Sequence, residues 1–194
     1  ELVESGQELL VQVLKDPLPN KGARITTQVT LPGRLLVLLP TMDHLGVSRR
    51  IEDEEERERL RALLERVRPE GRGLIVRTVG EGRGEGEFRA DAEFLLRRWD
   101  EIRARADAAP TPSLIHQDLD LPLRAIRDLL GADTTEVLVE DADTHRRVVE
   151  FVASLGSPLG ERISRWDDDS LPLFERYGVE REIAAALERR GWLD

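Results

Sequence analysis

Two side chains able to hold a phosphate stand next to each other at Arg77 and Thr78, within the stretch GLIVRTVGEGRGEGEF over residues 73–88. A guanidinium fork takes two phosphate oxygens, and a hydroxyl or a backbone N–H takes a third. The pair closes a short apolar run and opens a segment with glycine at 80, 82, 84 and 86. Successive strand residues face opposite ways, so the two converge only if the strand ends here, which the glycines permit. Arg49 and Arg50, in VSRRIE, would add positive charge if the fold brings them near. Taken alone, the pair also reads as ordinary surface residues at a strand end. The glycine run is no P-loop, because no GK[ST] closes it, and it lacks the GxGxxG pattern of a dinucleotide fold. By itself it reads as a flexible loop.

Other candidate chemistry is thinner. Asp167, Asp168 and Asp169 are hard-cation ligands by type, but EF-hand spacing is absent and a solvated acidic turn is the simpler reading. Glu140 and Asp141 end a predicted strand, as acidic residues do in some nucleases, yet no partner carboxylates can be located and helix capping accounts for them. His44, His116 and His145 are far apart and form neither HxH nor HExxH. No GxSxG and no nucleophile beside a base is present, so no catalytic residue and no metal site is assigned within the chain.

Composition narrows the field. The formal net charge is −10, which excludes a basic, non-specific nucleic-acid coat. A polyanion would have to bind at a local basic site. The cations are almost all arginine, Lys15 and Lys21 being the only lysines; base composition of the genome explains that bias as readily as phosphate recognition. There is no cysteine, which excludes disulfides and thiolate metal sites and is compatible with the cytoplasm. No apolar run approaches the length of about 20 residues that spans a bilayer. Aromatic residues are only 4% of the chain, so the core must be built from Leu, Val, Ile and Ala. The opening ELVESGQELLVQV reads like the interior of a domain, and a preceding segment is expected.

The elements that must position these groups follow from periodicity. Residues 8–15, 23–31 and 34–40 read as strands, separated by DPLPNKG and by Pro32-Gly33. Leu60, Leu63, Leu64 and Val67 form one apolar stripe of a first helix, stopped by Pro69 and Gly71. Residues 91–106 read as a second helix with Leu95, Trp99 and Ile102 on its buried side, and 121–130 as a third, capped by Gly131. Then come a strand in TTEVLVED, a helix with Val148, Val152 and Leu155 on one face and Asp143 or Thr144 as cap, a strand in ERISRW, and a last helix over 179–190. The β-α-β rhythm implies parallel strands. A division near residue 121 separates a β-rich front from an α/β back.

Read in order, GQELLVQV, NKGARITTQVTLPGRLLVLLP, GVSRRIED, GLIVRTVGEG, FLLRRWDEI, LIHQD, LPLFERYGVEREIAAAL and GWLD resemble the ribonuclease E/G family of bacterial endoribonucleases, collinearly over essentially the whole chain. NKGxxxTT, VSRRIE and GLIVRT are specific in combination. The resemblance implies an α+β fold. Residues 1–27 would be the last strands of an S1 (OB-type) β-barrel, 28–121 a mixed α+β 5′-sensor domain, and 122–194 part of an RNase H-like α/β segment. It implies that Arg77 and Thr78 bind an RNA 5′-monophosphate, with Gly33 and Val37 near the first nucleotide and Arg49 and Arg50 in the family's SRR element. Lys21, and less closely matched Arg24, would face RNA on the S1 surface. The intact enzyme would cleave single-stranded RNA with Mg2+, held by aspartates downstream of this chain, and zinc-linking cysteines would also lie downstream. It would be a cytoplasmic homo-oligomer. The rival expectation is a non-enzymatic RNA- or protein-binding scaffold, separated from a sensor by whether binding depends on the 5′-phosphate.

Overall fold

The computed structural model describes residues 4–131, 133–155, 158–168 and 170–188. It is a mixed α+β structure with three small sheets. The chain divides into two compact units, Glu1–Asp118 and Leu119–Asp194.

In the first unit, strands β1 (Gln12–Lys15) and β2 (Arg24–Thr26) form an antiparallel hairpin. The Gln12 carboxamide ties it to the next segment by accepting from the Thr30 N–H at 2.9 Å and donating to the Thr30 carbonyl at 3.0 Å. The central sheet has the order β3-β4-β6-β5, from β3 (Leu31–Pro32), β4 (Leu36–Leu39), β5 (Leu45–Val47) and β6 (Gly73–Val76). β6 pairs antiparallel with β4 and parallel with β5. Alternation gives the sheet two faces. Leu31, Leu36, Leu38, Leu74 and Val76 are buried on one. The opposite face carries the half-buried row Pro32, Val37, Ile75 and Gly46, aligned by register.

Helices α1 (Glu54–Val67) and α2 (Glu85–Ala108) cover the buried face. The predicted stripe of Leu60, Leu63, Leu64 and Val67 is buried throughout. Asp53 caps α1 by accepting from the Glu56 N–H at 3.0 Å, and glutamates 54–56 fill the positive first turn. α2 buries Phe88, Ala92, Leu95, Trp99 and Ile102.

Three expectations for this unit are corrected. β5 was not foreseen. α2 starts at Glu85 and not at residue 91. The glycine run is therefore no bare loop: Thr78–Gly80 makes a 3-10 turn, Gly84 is the N-cap, and Gly86 lies inside α2. A Cβ on Gly80 would come within 2.9 Å of both the Phe88 and Val76 side chains, so the helix packs directly under the turn. Gly82 has φ +71, a conformation that favours glycine.

In the second unit, α3 (Leu121–Leu129) precedes the parallel pair β7 (Val137–Val139) and β8 (Ile163–Arg165). The crossover helix α4 (Ala142–Ser154) joins those strands, as the β-α-β reading required. Leu130, Val148, Val152 and Ile163 form the core, whereas Leu155 lies beyond the last turn of α4 and is exposed. The cap of α4 is Asp141, which accepts from the Thr144 N–H at 2.7 Å, not Asp143 or Thr144. Leu130, not Gly131, is the C-cap of α3. Short α5 (Leu173–Arg176) was not foreseen, and α6 (Val179–Leu187) follows. The predicted end of that helix at 189–190 and the Asp169 reading lie outside the described residues.

Candidate phosphate-binding site

Arg77 and Thr78 follow directly on β6, where regular pairing with β5 stops. The Arg77 N–H still donates to the Leu35 carbonyl at 2.8 Å, extending the ladder by one bond. Its side chain reaches across β4. Nη1 donates to the Gly33 carbonyl at 2.6 Å and the Arg34 carbonyl at 3.2 Å. Residues 33–36 form a tight turn closed by the Gly33 N–H on the Leu36 carbonyl at 2.8 Å.

The next link lies on α2. The Asp91 carboxylate accepts from three successive N–H groups, those of Arg34 at 3.1 Å, Leu35 at 2.9 Å and Leu36 at 2.9 Å. Burial pushes the Asp91 carboxyl above the usual aspartate range, while the three N–H groups and the Arg77 charge pull it back. A Cβ at Gly33 would stand 2.6 and 2.8 Å from the Asp91 oxygens and 2.9 Å from Leu95 Cδ1. The glycine is needed for close approach.

On the other side, the Thr78 hydroxyl is 3.0 Å from the Ser48 hydroxyl. Ser48 directly follows β5, and its N–H donates to the Val76 carbonyl at 2.9 Å. The Ser48 Oγ also accepts from the Arg50 N–H at 3.3 Å. The Ser48 and Ile51 carbonyls accept from Arg57 Nη1 at 2.8 and 3.0 Å, so a buried-side arginine of α1 pins this turn. Arg49 and Arg50 are exposed on it. Below, α1 fastens the glycine segment: Glu56 accepts from the Gly82 N–H at 2.8 Å and from Arg59 at 2.6 and 2.7 Å. These bonds hold the Glu56 carboxyl down at about 2.

Gly33, Arg77 and Thr78 thus gather at one end of the central sheet, with Ser48 beside them. Val37 lies on the outer face next to Ile75, two residues before Arg77. Arg49 and Arg50 share the Ser48 turn. Lys21 and Arg24 stand elsewhere, on the hairpin: Lys21 faces Leu18 at its tip, and Arg24 opposes Lys15. Glu140 and Asp141 do helix-end work, Glu140 accepting from the Leu173 N–H at 3.3 Å. Asp168 folds onto Ser170 in an exposed turn. Among the described residues no group of three His, Asp or Glu side chains could hold a metal ion, and no helix is long and apolar enough to cross a membrane.

Two residues of this constellation were not singled out from sequence. Ser48 stood inside a quoted motif. Asp91 carried a signal: it is three residues after Phe88 and four before Leu95, a charge on the apolar stripe of α2.

Arg77, Thr78 and Ser48 thus meet at a strand end beside a turn whose N–H groups are held by Asp91, and the comparisons place the chain in a family. The Ribonuclease E/G family matches residues 30–194, and the chain belongs to that family. It is 43% identical over 190 residues to ribonuclease G of Haemophilus influenzae, covering 98% of this chain and 38% of that protein. Ribonuclease G of Escherichia coli is 40% identical over 190 residues, with 98% and 39% covered. Ribonuclease E of a Nostoc strain is 38% identical over 193 residues, with 98% and 28% covered. The chain therefore spans less than two fifths of the length of these relatives.

Proposed function

We propose that this chain is the RNA 5′-end-sensing region of an endoribonuclease that cleaves single-stranded RNA in processing and decay. The observation that carries this reading is the convergence of Arg77, Thr78 and Ser48 at the end of β6, with the Arg77 guanidinium fixed on the 33–36 turn. A terminal phosphate presents oxygens to the guanidinium and to the Thr78 hydroxyl, in charge-assisted bonds. Val37 and Ile75 offer an apolar seat for the first base. Arg49 and Arg50 draw the anion in from the adjacent turn. An arginine anchored at Nη1 to two carbonyls cannot swing out to follow a longer chain, which favours a monophosphate over a triphosphate. The acidic body rejects polyanions elsewhere, so binding concentrates at the 5′ end.

In this reading residues 1–27 are S1-type strands that guide RNA past Lys21 and Arg24. Residues 28–121 are the 5′ sensor, and 122–194 an RNase H-like scaffold. Cleavage belongs to a segment outside this chain, where Mg2+ would supply an activated water. The residues described here do not fit that metal, and no hydrolytic step is assigned to them. Capture of the 5′ end raises the local concentration of the rest of the RNA at the distant centre. A cytoplasmic homo-oligomer is the expected intact form.

The test is equilibrium binding of one short single-stranded RNA bearing a 5′-monophosphate, 5′-hydroxyl or 5′-triphosphate, at fixed moderate salt. Charge-assisted bonds of about 1.5–3 kcal/mol correspond to a preference for the monophosphate of roughly 10–150-fold over the hydroxyl. Arg77→Ala should abolish it. Equal binding of all three by the folded chain would replace this reading with a non-enzymatic scaffold.

A further inference from the structure

We propose that Asp91 is the positioning residue of the phosphate site, holding the two peptide groups on which the Arg77 guanidinium rests. The inference rests on the phosphate reading above. Its geometry is specific. The Gly33 carbonyl and the Arg34 N–H belong to one peptide plane, and the Arg34 carbonyl and Leu35 N–H to the next. Asp91 takes the N–H end of both planes, at 3.1 and 2.9 Å. Arg77 Nη1 takes the carbonyl end of both, at 2.6 and 3.2 Å. Carboxylate, two aligned peptide dipoles and guanidinium form a relay in which each bond polarises the next. A third N–H, from Leu36, also donates to the carboxylate, at 2.9 Å. The same fit makes Gly33 obligatory, since any side chain there would meet the carboxylate.

Position 91 reaches no RNA in this account; it acts through Arg77. Asp91→Asn keeps size and shape but places an NH2 group against at least one backbone N–H. With the amide oxygen on Leu35 and Leu36, the NH2 faces Arg34, and the 33–34 peptide turns away from Arg77.

The experiment compares 5′-monophosphate and 5′-hydroxyl RNA binding by wild-type chain and Asp91→Asn. The expected result is an approximately tenfold loss of the monophosphate preference, with 5′-hydroxyl affinity unchanged and cooperative unfolding retained. The Arg77 Nε–H signal in NMR should move in the variant. A wild type without preference overturns the phosphate reading, and this inference with it. A wild type with preference and an Asp91→Asn variant that keeps it overturns this inference alone. If the variant does not fold, through-hydrogen-bond couplings in the wild type decide. Couplings between the Arg34 and Leu35 amide nitrogens and the Asp91 carboxyl carbon support the relay, and their absence overturns it.

Discussion

Gly33→Ala is the most quantitative probe of this site. The new methyl would sit 2.6 and 2.8 Å from the Asp91 oxygens and 2.9 Å from Leu95 Cδ1, all under the closest approach of real Cβ atoms. Asp91 is held by three N–H bonds, so its carboxylate does not yield cheaply. Overpacking costs about 1–3 kcal/mol. Displacing the carboxylate also weakens bonds to an ionised acceptor, each worth about 1.5–3 kcal/mol when intact. Together these give an expected loss of about 3 kcal/mol, roughly 150-fold in the unfolding equilibrium. The midpoint of the first unit should fall by about 10 °C. Amide hydrogen exchange of β4 and β6 reads this loss within the unit concerned. The decisive measurement repeats the substitution in an Asp91→Ala background, where the methyl meets only a Leu95 methyl that can rotate. The cost should then drop to about 1 kcal/mol or less, a coupling well above the scatter of about 0.5 kcal/mol for independent sites. Additive effects would refute the argument that Gly33 exists to admit the Asp91 carboxylate.

Further outcomes follow from the neighbouring contacts. Glu56 has a folded pKa of about 2, lowered first by its bonds from Arg59 and then from the Gly82 N–H. A depressed carboxyl stabilises the fold above its unfolded pKa near 4.5, and that contribution disappears as pH falls toward 2. Glu56→Gln should therefore destabilise the first unit near neutrality by about 1 kcal/mol or less, as a surface pair does. The difference from wild type should vanish between those pH values in urea titrations; a constant difference would exclude ionisation as the cause. Ser48→Ala removes the partner of the Thr78 hydroxyl and the acceptor of the Arg50 N–H. The monophosphate preference should fall about fivefold, one hydrogen bond's worth, with the hydroxyl-ended RNA unaffected in the same competition assay.

The helices of the first unit were legible where side chains repeat with the helical period. Leu60 to Val67 gave α1 because four leucine and valine side chains leave only one amphipathic solution. β7, α4 and β8 were legible because a short valine-rich run, a helix and a second short run permit only a crossover. β5 was not, because three residues containing a glycine carry no alternation; parallel pairing with β6 makes it a strand. The start of α2 was masked by glycines that discourage helix locally, whereas burial of Phe88 under Gly80 fixes it tertiarily. At the site, Arg77 and Thr78 were marked by type and by adjacency. What the Arg77 guanidinium rests on was not legible, because it is backbone. The carbonyls of Gly33 and Arg34 leave no trace in side-chain identity, and their anchor lies on another element.

The anchor of the 33–36 turn comes 57 residues later in the chain, at Asp91. During synthesis at about 5–20 residues per second, that interval lasts roughly 3–11 s. Through this time the β3–β4 strands can pair locally, but the turn between them has no carboxylate to order its N–H groups. The guanidinium of Arg77 emerges before the acid that fixes its seat. The seat of Arg77 at this end of the sheet therefore forms only after α2 has been made and docked, and a nascent chain shorter than that helix carries the arginine without the carboxylate that orders its turn.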